Sequence, residues 1–315
     1  MIKRRSFIVG IKSITISIKE RKFLKQYKPW GVILFSRNIK SVKQTKKLTN
    51  DIKKIFNDKK YPIFVDQEGG RVNRFKSFLN VDQLTGEFFG DLYKKNPKKF
   101  IYYYKLFVDK TSTLLRQTGI NINTVPILDL RIKGSSKIIS DRSFSNNPKI
   151  VNKIGNFCIK FFHQNNIATV IKHIPGHGLA TVDSHLLTPV VKSKLSNLIK
   201  RDFSTFKNKK SFCAMTAHII YSDIDRKFTT THSKKVIRLI RNKIKFKGLL
   251  ISDDISMKSL KYPVKENTIR AFKAGCNLVL HCNSKFKEML DVANNSPIID
   301  DFIIKKTSQL YKILR

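Results

Sequence analysis

The chain has 315 residues, 41% of them hydrophobic and 27% charged, which is ample for a full core and argues against wholesale disorder. No run approaches the roughly 18 apolar residues needed to cross a bilayer, so membrane insertion is not expected. The 63 Lys and Arg against 22 Asp and Glu give a net charge of +41, yet the positives run from Lys3 to Arg315 without gathering into one arm or stripe. A lysine-coated surface is the simpler reading, and no specific nucleic-acid partner is expected.

Taken in chain order, short apolar runs alternate with helical patterns. The runs are Phe7–Val9, Val32–Phe35, Ile63–Val65, Val125–Leu128, Ala168–Ile171, Phe212–Thr216, Leu249–Ile251 and Leu278–Leu280. They are continuous rather than alternating, as expected of parallel strands covered on both faces. Leu48, Ile52, Ile55 and Phe56 place one apolar face on a helix after the second run. A long helix is predicted over 97–117, with Gly119 placed to end it. Strand and helix alternating in this way predict an α/β fold, a single (β/α)8 TIM barrel, with a doubly wound open sheet as the runner-up. No Pro/Gly/Ser-rich linker interrupts the pattern, so 1–315 reads as one catalytic domain, and a monomer is expected. After the basic start Met1-Ile2-Lys3-Arg4-Arg5, the apolar Phe7-Ile8-Val9 is too short for a signal h-region. Cys158, Cys213, Cys276 and Cys282 form no CxxC, so neither a disulfide framework nor a zinc knuckle is indicated and a reducing cytoplasm fits.

The polar residues that follow these strands carry the chemistry, because a barrel gathers all its strand ends on one face. They include Asp66 to Arg71 after the third strand, Asp129, Lys172-His173, His218, Ser252-Asp253-Asp254 and His281-Cys282-Asn283. Three histidines and an aspartate between 172 and 185 invite a zinc site. However, Pro175 and Gly176 separate His173 from His177, so these cannot share a helix face as HExxH histidines do. Strand-end histidines bonding backbone are the alternative for both. Asp183 and His185, at i and i+2 in an extended loop, project to the same side. The carboxylate can then fix one imidazole nitrogen and leave the other as an acid/base. Asp253 and Asp254 point to opposite sides of a strand, so at most one faces the barrel mouth while the other bonds loop backbone. Arg71, Arg74 and Arg142 sit on loops, where planar forks suit hydroxyls and carboxylates, or ordinary ion pairs.

Several segments together carry a resemblance. Val65-Asp66-Gln67-Glu68-Gly69-Gly70-Arg71-Val72-Asn73-Arg74-Phe75 resembles the DQEGGRVxRF motif of bacterial β-N-acetylhexosaminidases in glycoside hydrolase family 3, and 172–185 is similar to that family's KHFPGHG-x4-DSH loop. Segments 31–38, 125–130, 141–144, 215–218 and 251–257 resemble further family stretches, in order and from near residue 8 to about 283. Departures are small: Ile174 for the usual Phe, Ile255 for Leu, Ser140 where Gly is frequent, and Lys227-Phe228 in a stretch that is often proline-rich. The chain resembles the compact single-domain members.

The resemblance implies a retaining exo-β-N-acetylglucosaminidase that removes terminal N-acetylglucosamine from muropeptides during cell-wall recycling in the cytoplasm. It implies Asp253 as nucleophile, His185 as acid/base and Asp183 as its orienting partner. Asp66, Arg74, Arg142, Lys172 and His173 would bind the sugar, and neither cofactor nor metal is needed. A phosphorylase acting on the same glycosides is the enzymatic alternative, because a neutral imidazole does not repel an incoming anion. An inactive nucleic-acid-binding barrel is the competing class, and the intact Asp253, Asp183 and His185 weigh against it.

Overall fold

A computed structural model describes residues 3–314; Met1 and Ile2 of the basic start, and Arg315, lie outside the described residues. Eight parallel strands close into a barrel: β1 (Arg5–Gly10), β2 (Pro29–Leu34), β3 (Ile63–Val65), β4 (Ile122–Asn123), β5 (Ala168–Ile174), β7 (Cys213–Thr216), β9 (Leu249–Asp254) and β10 (Leu278–His281). β1 pairs with β10 on one side and with β2 on the other, which completes the circle. A separate parallel pair, β6 (Val190–Val191) with β8 (Ile220–Tyr221), lies outside it, and periodicity did not reveal it.

The outer ring is α1 (Ile18–Tyr27), α2 (Val42–Phe56), α3 (Gly86–Lys95), α4 (Pro97–Thr118), α5 (Pro148–Gln164), α6 (Leu195–Lys200), α7 (Lys234–Leu239), α8 (Val264–Ala274) and α9 (Phe286–Asn295). The predicted face of α2 is confirmed, with Leu48, Ile52 and Phe56 buried. α4 ends as expected at Gly119, whose φ of 76° is the left-handed cap a glycine adopts without strain.

Because successive strand residues point to opposite faces, each strand feeds two cores. Phe7 and Val9 pack outward against the helices, while Ile8 joins Trp30, Ile33, Phe64, Val170 and Ile251 inside the barrel. Each such large side chain, fully buried, contributes roughly 1.5–3 kcal/mol. α10 (Asp301–Tyr311) closes the N-terminal end, where Ile303 and Leu310 join the inner core and the Trp30 indole N–H donates to Thr307 Oγ1 at 2.9 Å. The opposite end stays open.

One strand lies earlier than the apolar run predicted. β4 is Ile122–Asn123, and only an isolated bridge from Ile127 to Lys172 continues the pairing through 125–128. Pro126 has no N–H to give the ladder, so the chain keeps contact through the Lys172 N–H to the Pro126 carbonyl at 3.1 Å and the Leu128 N–H to the Lys172 carbonyl at 2.8 Å.

Candidate active site

The open end of the barrel holds a cavity of about 160 Å³ lined by Asp66, Arg74, Arg142, Lys172, His173, His185 and Asp253. Asp183 stands behind His185 and reaches the cavity only through it.

One wall is an ion network. Asp66 Oδ1 accepts from Lys172 Nζ at 3.0 Å and from the Thr124 hydroxyl, and Oδ2 lies 3.4 Å from an Arg74 nitrogen. Arg142 grips Glu68 through two parallel bonds of 2.8 and 2.9 Å, and Lys172 Nζ adds a third contact at 2.7 Å. Burial alone would push both carboxyls up. Lys172 and Arg74 outweigh it at Asp66, which falls well below the usual carboxylate range, and Arg142 with Lys172 bring Glu68 down to about 2. Lys172 meets as many acceptors (Asp66, Glu68 and Thr124) as an ammonium has donors. It thereby fixes Asp66 on the cavity wall. Arg74 keeps donors free: its Nε is buried without a partner among the described residues, and its fork lies over the Phe35 ring at 5.4 Å.

Asp129 anchors the neighbouring loop. Its buried carboxylate accepts His173 Nδ1–H at 2.7 Å, the His173 backbone N–H at 3.2 Å and the His177 backbone N–H at 2.6 Å. This holds His173 in one orientation and leaves its Nε2 for the cavity. His177 Nε2 instead meets Ser184 Oγ at 3.0 Å. The three loop histidines thus go to three partners, Asp129, Ser184 and Asp183, and no group of three His, Cys, Asp or Glu suited to a metal ion occurs among the described residues.

At the end of β9 the two aspartates diverge as a pleated strand requires. Asp254 turns to the loops, where its Oδ1 accepts the Ser256 N–H at 3.1 Å and the Cys282 N–H at 3.2 Å, and both oxygens accept the Ser256 hydroxyl at 2.9 Å. Asp253 turns to the cavity. Its Oδ1 accepts the Asp254 N–H at 2.7 Å, and Oδ2 has no hydrogen bond among the described residues. Burial pushes this carboxyl up, but the His218 and His173 rings and that N–H outweigh it and hold the group below its ordinary value. His218 is fully buried beside it, with Nε2–H donating to the Asp254 carbonyl at 3.0 Å and Nδ1 bonded to Thr231 Oγ1 at 2.7 Å.

Across the cavity Asp183 Oδ1 accepts both the Nδ1–H of His185, at 2.9 Å, and its backbone N–H, at 2.8 Å. The two side chains are 37% and 60% exposed, so the free imidazole nitrogen meets solvent and any ligand. Slight burial raises the Asp183 carboxyl, but the two bonds from His185 prevail and its pKa is lowered. An ionised carboxylate with one oxygen free of hydrogen bonds among the described residues and an imidazole steered by a second carboxylate therefore share one pocket. Residues 7–312 match the glycosyl hydrolase family 3 N terminal domain.

The chain belongs to glycoside hydrolase family 3. It is 32% identical over 281 residues to the beta-hexosaminidase of Hydrogenovibrio crunogenus, spanning 88% of this chain and 78% of that one. It is 30% identical over 310 residues to the beta-hexosaminidase of Photobacterium profundum, spanning 95% and 90%. Its fold superimposes on NagZ from Neisseria gonorrhoeae in complex with N-trifluoroacetyl-D-glucosamine with a TM-score of 0.87, at 28% identity and over 99% and 90% of the two chains. This family 3 chain is accordingly a glycoside hydrolase of the β-N-acetylhexosaminidase kind.

Sequence reasoning gave no role to Glu68, Thr124 or Ser184 and named Asp129 only as a strand end. Glu68 had a usable signal, since an acidic residue two positions beyond Asp66 in a strand-end loop that also carries Arg71 and Arg74 calls for cationic partners. Arg71 itself lies on the rim, bonded to Asp141 at 2.9 Å and to the Lys137 carbonyl at 2.7 Å.

Proposed function

We propose that this hydrolase is a retaining exo-β-N-acetylglucosaminidase that removes terminal, non-reducing N-acetylglucosamine from peptidoglycan-derived muropeptides. The observation that carries the reading is the free Oδ2 of Asp253 in the same cavity as the Asp183-steered ring of His185. Asp253 attacks the anomeric carbon while His185 Nε2–H gives its proton to the departing oxygen, leaving a glycosyl ester on Asp253. The neutral imidazole then takes a proton from water as that water attacks the same carbon, which frees the sugar and restores both groups. Two displacements retain the anomeric configuration. Asp183 favours the imidazolium needed for the first step. Arg74, Arg142, Lys172 and His173 have N–H groups or ring nitrogens on the cavity and would hold the sugar together with Asp66, which Lys172 also fixes in place.

In this reading 1–315 acts as one catalytic domain and as a monomer in the cytoplasm, a compartment that suits four unpaired cysteines. No helix among the described residues is long and apolar enough to cross a membrane.

The test compares His185→Ala on an activated aryl glycoside and on a disaccharide. General acid catalysis is worth ~10²–10⁴-fold, and a good leaving group departs with little need of it. Disaccharide turnover should collapse, while glycosylation by the aryl substrate persists and the covalent intermediate accumulates in the mass spectrum. Asp183→Asn should follow the same pattern more weakly. Equal losses on both substrates, with no intermediate, would overturn the reading.

A further inference from the structure

The segment 181–187 carries the acid/base pair, and among the described residues its backbone bonds only to itself. The His185 N–H goes to Asp183 Oδ1, and the Leu186 and Leu187 N–H groups go to the Asp183 carbonyl. Ser184 interrupts this exposure. It is buried between two accessible neighbours, and its Oγ makes the one hydrogen bond that ties the segment to the barrel among the described residues, at 3.0 Å from His177 Nε2. His177 is a rigid anchor. Its backbone N–H is held by Asp129 at 2.6 Å, and its ring lies edge-on to the His173 ring with centroids 5.5 Å apart. His177 Nδ1 is buried without a partner, so the bond to Ser184 is the only one the ring makes among the described residues. Burial, then the neighbouring His173, push the ring down to about 4, so it is neutral and keeps one N–H near pH 7.

We infer that the Ser184–His177 hydrogen bond is the latch that holds Asp183 and His185 over the cavity, which makes Ser184 and His177 positioning residues for proton transfer. The inference rests on the reading of His185 as the acid/base. Residues 184–186 form a turn, closed where the Asp183 carbonyl accepts the Leu186 and Leu187 N–H groups, and this turn buries Ser184 between Asp183 and His185, so one inward bond sets the height of both reacting side chains. A displacement of about 1 Å in such a group costs on the order of 10²-fold in rate.

The experiment measures kcat and KM for Ser184→Ala, His177→Phe, their combination and Ser184→Thr on a disaccharide and an activated aryl glycoside, with His185→Ala as reference. Ser184→Ala should lose roughly 10–100-fold in kcat on the disaccharide, lose far less in aryl glycosylation, and keep its KM. The combined variant should be no slower than the slower single one, since both remove the same bond. Ser184→Thr retains a hydroxyl and should recover most of the rate. Unchanged kcat in Ser184→Ala, equal losses on both substrates, or losses that multiply in the combination would overturn the latch while His185→Ala still shows its leaving-group dependence. If His185→Ala shows none, the acid/base reading and the latch fall together.

Discussion

Glu68→Gln removes one negative charge from between two buried cations and leaves the side-chain volume almost unchanged. Arg142 then loses its bidentate acceptor, keeping the Ile138 carbonyl at 2.9 Å, and Lys172 keeps Asp66 and Thr124. Breaking a buried ion pair by removing one partner costs about 3–5 kcal/mol, and the surviving Asp66 contact places this case at the lower end. The proton linkage gives the same order. Bringing a glutamate from its ordinary value down to about 2 corresponds to about 3 kcal/mol of folding stability near neutral pH. The sign follows from a folded pKa that lies below the unfolded one. The contribution is complete above the unfolded value and is lost as pH falls toward the folded one. Urea unfolding of the parent and of Glu68→Gln should therefore differ by about 3 kcal/mol at pH 6–7, with the gap narrowing below roughly pH 4.5 as Glu68 protonates. Sugar binding should weaken with it, because Arg142 and Lys172 line the cavity. A gap below about 1 kcal/mol, the scale of an exposed pair, or one that does not change with pH, would refute the network as a source of stability.

Asp253→Ala should abolish turnover with the fold intact by circular dichroism, and a fluorosugar inactivator should label Asp253. Asp254→Asn should keep measurable activity but lose stability, because its carboxylate accepts the Ser256 and Cys282 N–H groups; a label on Asp254 would reverse the assignment. Gly90→Ala should destabilise by about 1–3 kcal/mol or more and raise KM. A Cβ there would lie 1.6 Å from the Phe144 carbonyl oxygen, on the loop that carries Arg142, and an unchanged melting temperature would refute that packing. Retention on DNA should fall steeply with salt through counterion release, and sequence-selective binding at high salt would show that the +41 charge serves a dedicated nucleic-acid site.

What the amino-acid order determines here is local or periodic. Continuous apolar runs alternating with amphipathic stretches carry the barrel, because strands covered on both faces have no room for polar side chains. The divergence of Asp253 from Asp254 is legible because it follows from extended backbone over one residue; Asp183 meets His185 as their spacing suggests, but across a turn over 184–186 rather than in an extended loop. The early end of β4 was legible only in part, since Pro126 marks a missing donor but not where the ladder resumes. Contacts across many residues had to wait for the tertiary structure. Arg142 meets Glu68 across 74 positions, and Lys172 meets Asp66 across 106. His177 meets Ser184 from a loop whose backbone is held by Asp129, 48 positions before His177. Closing the barrel brings these groups to one rim. Only there do their charges settle which carboxylate is held by cations and which is left free.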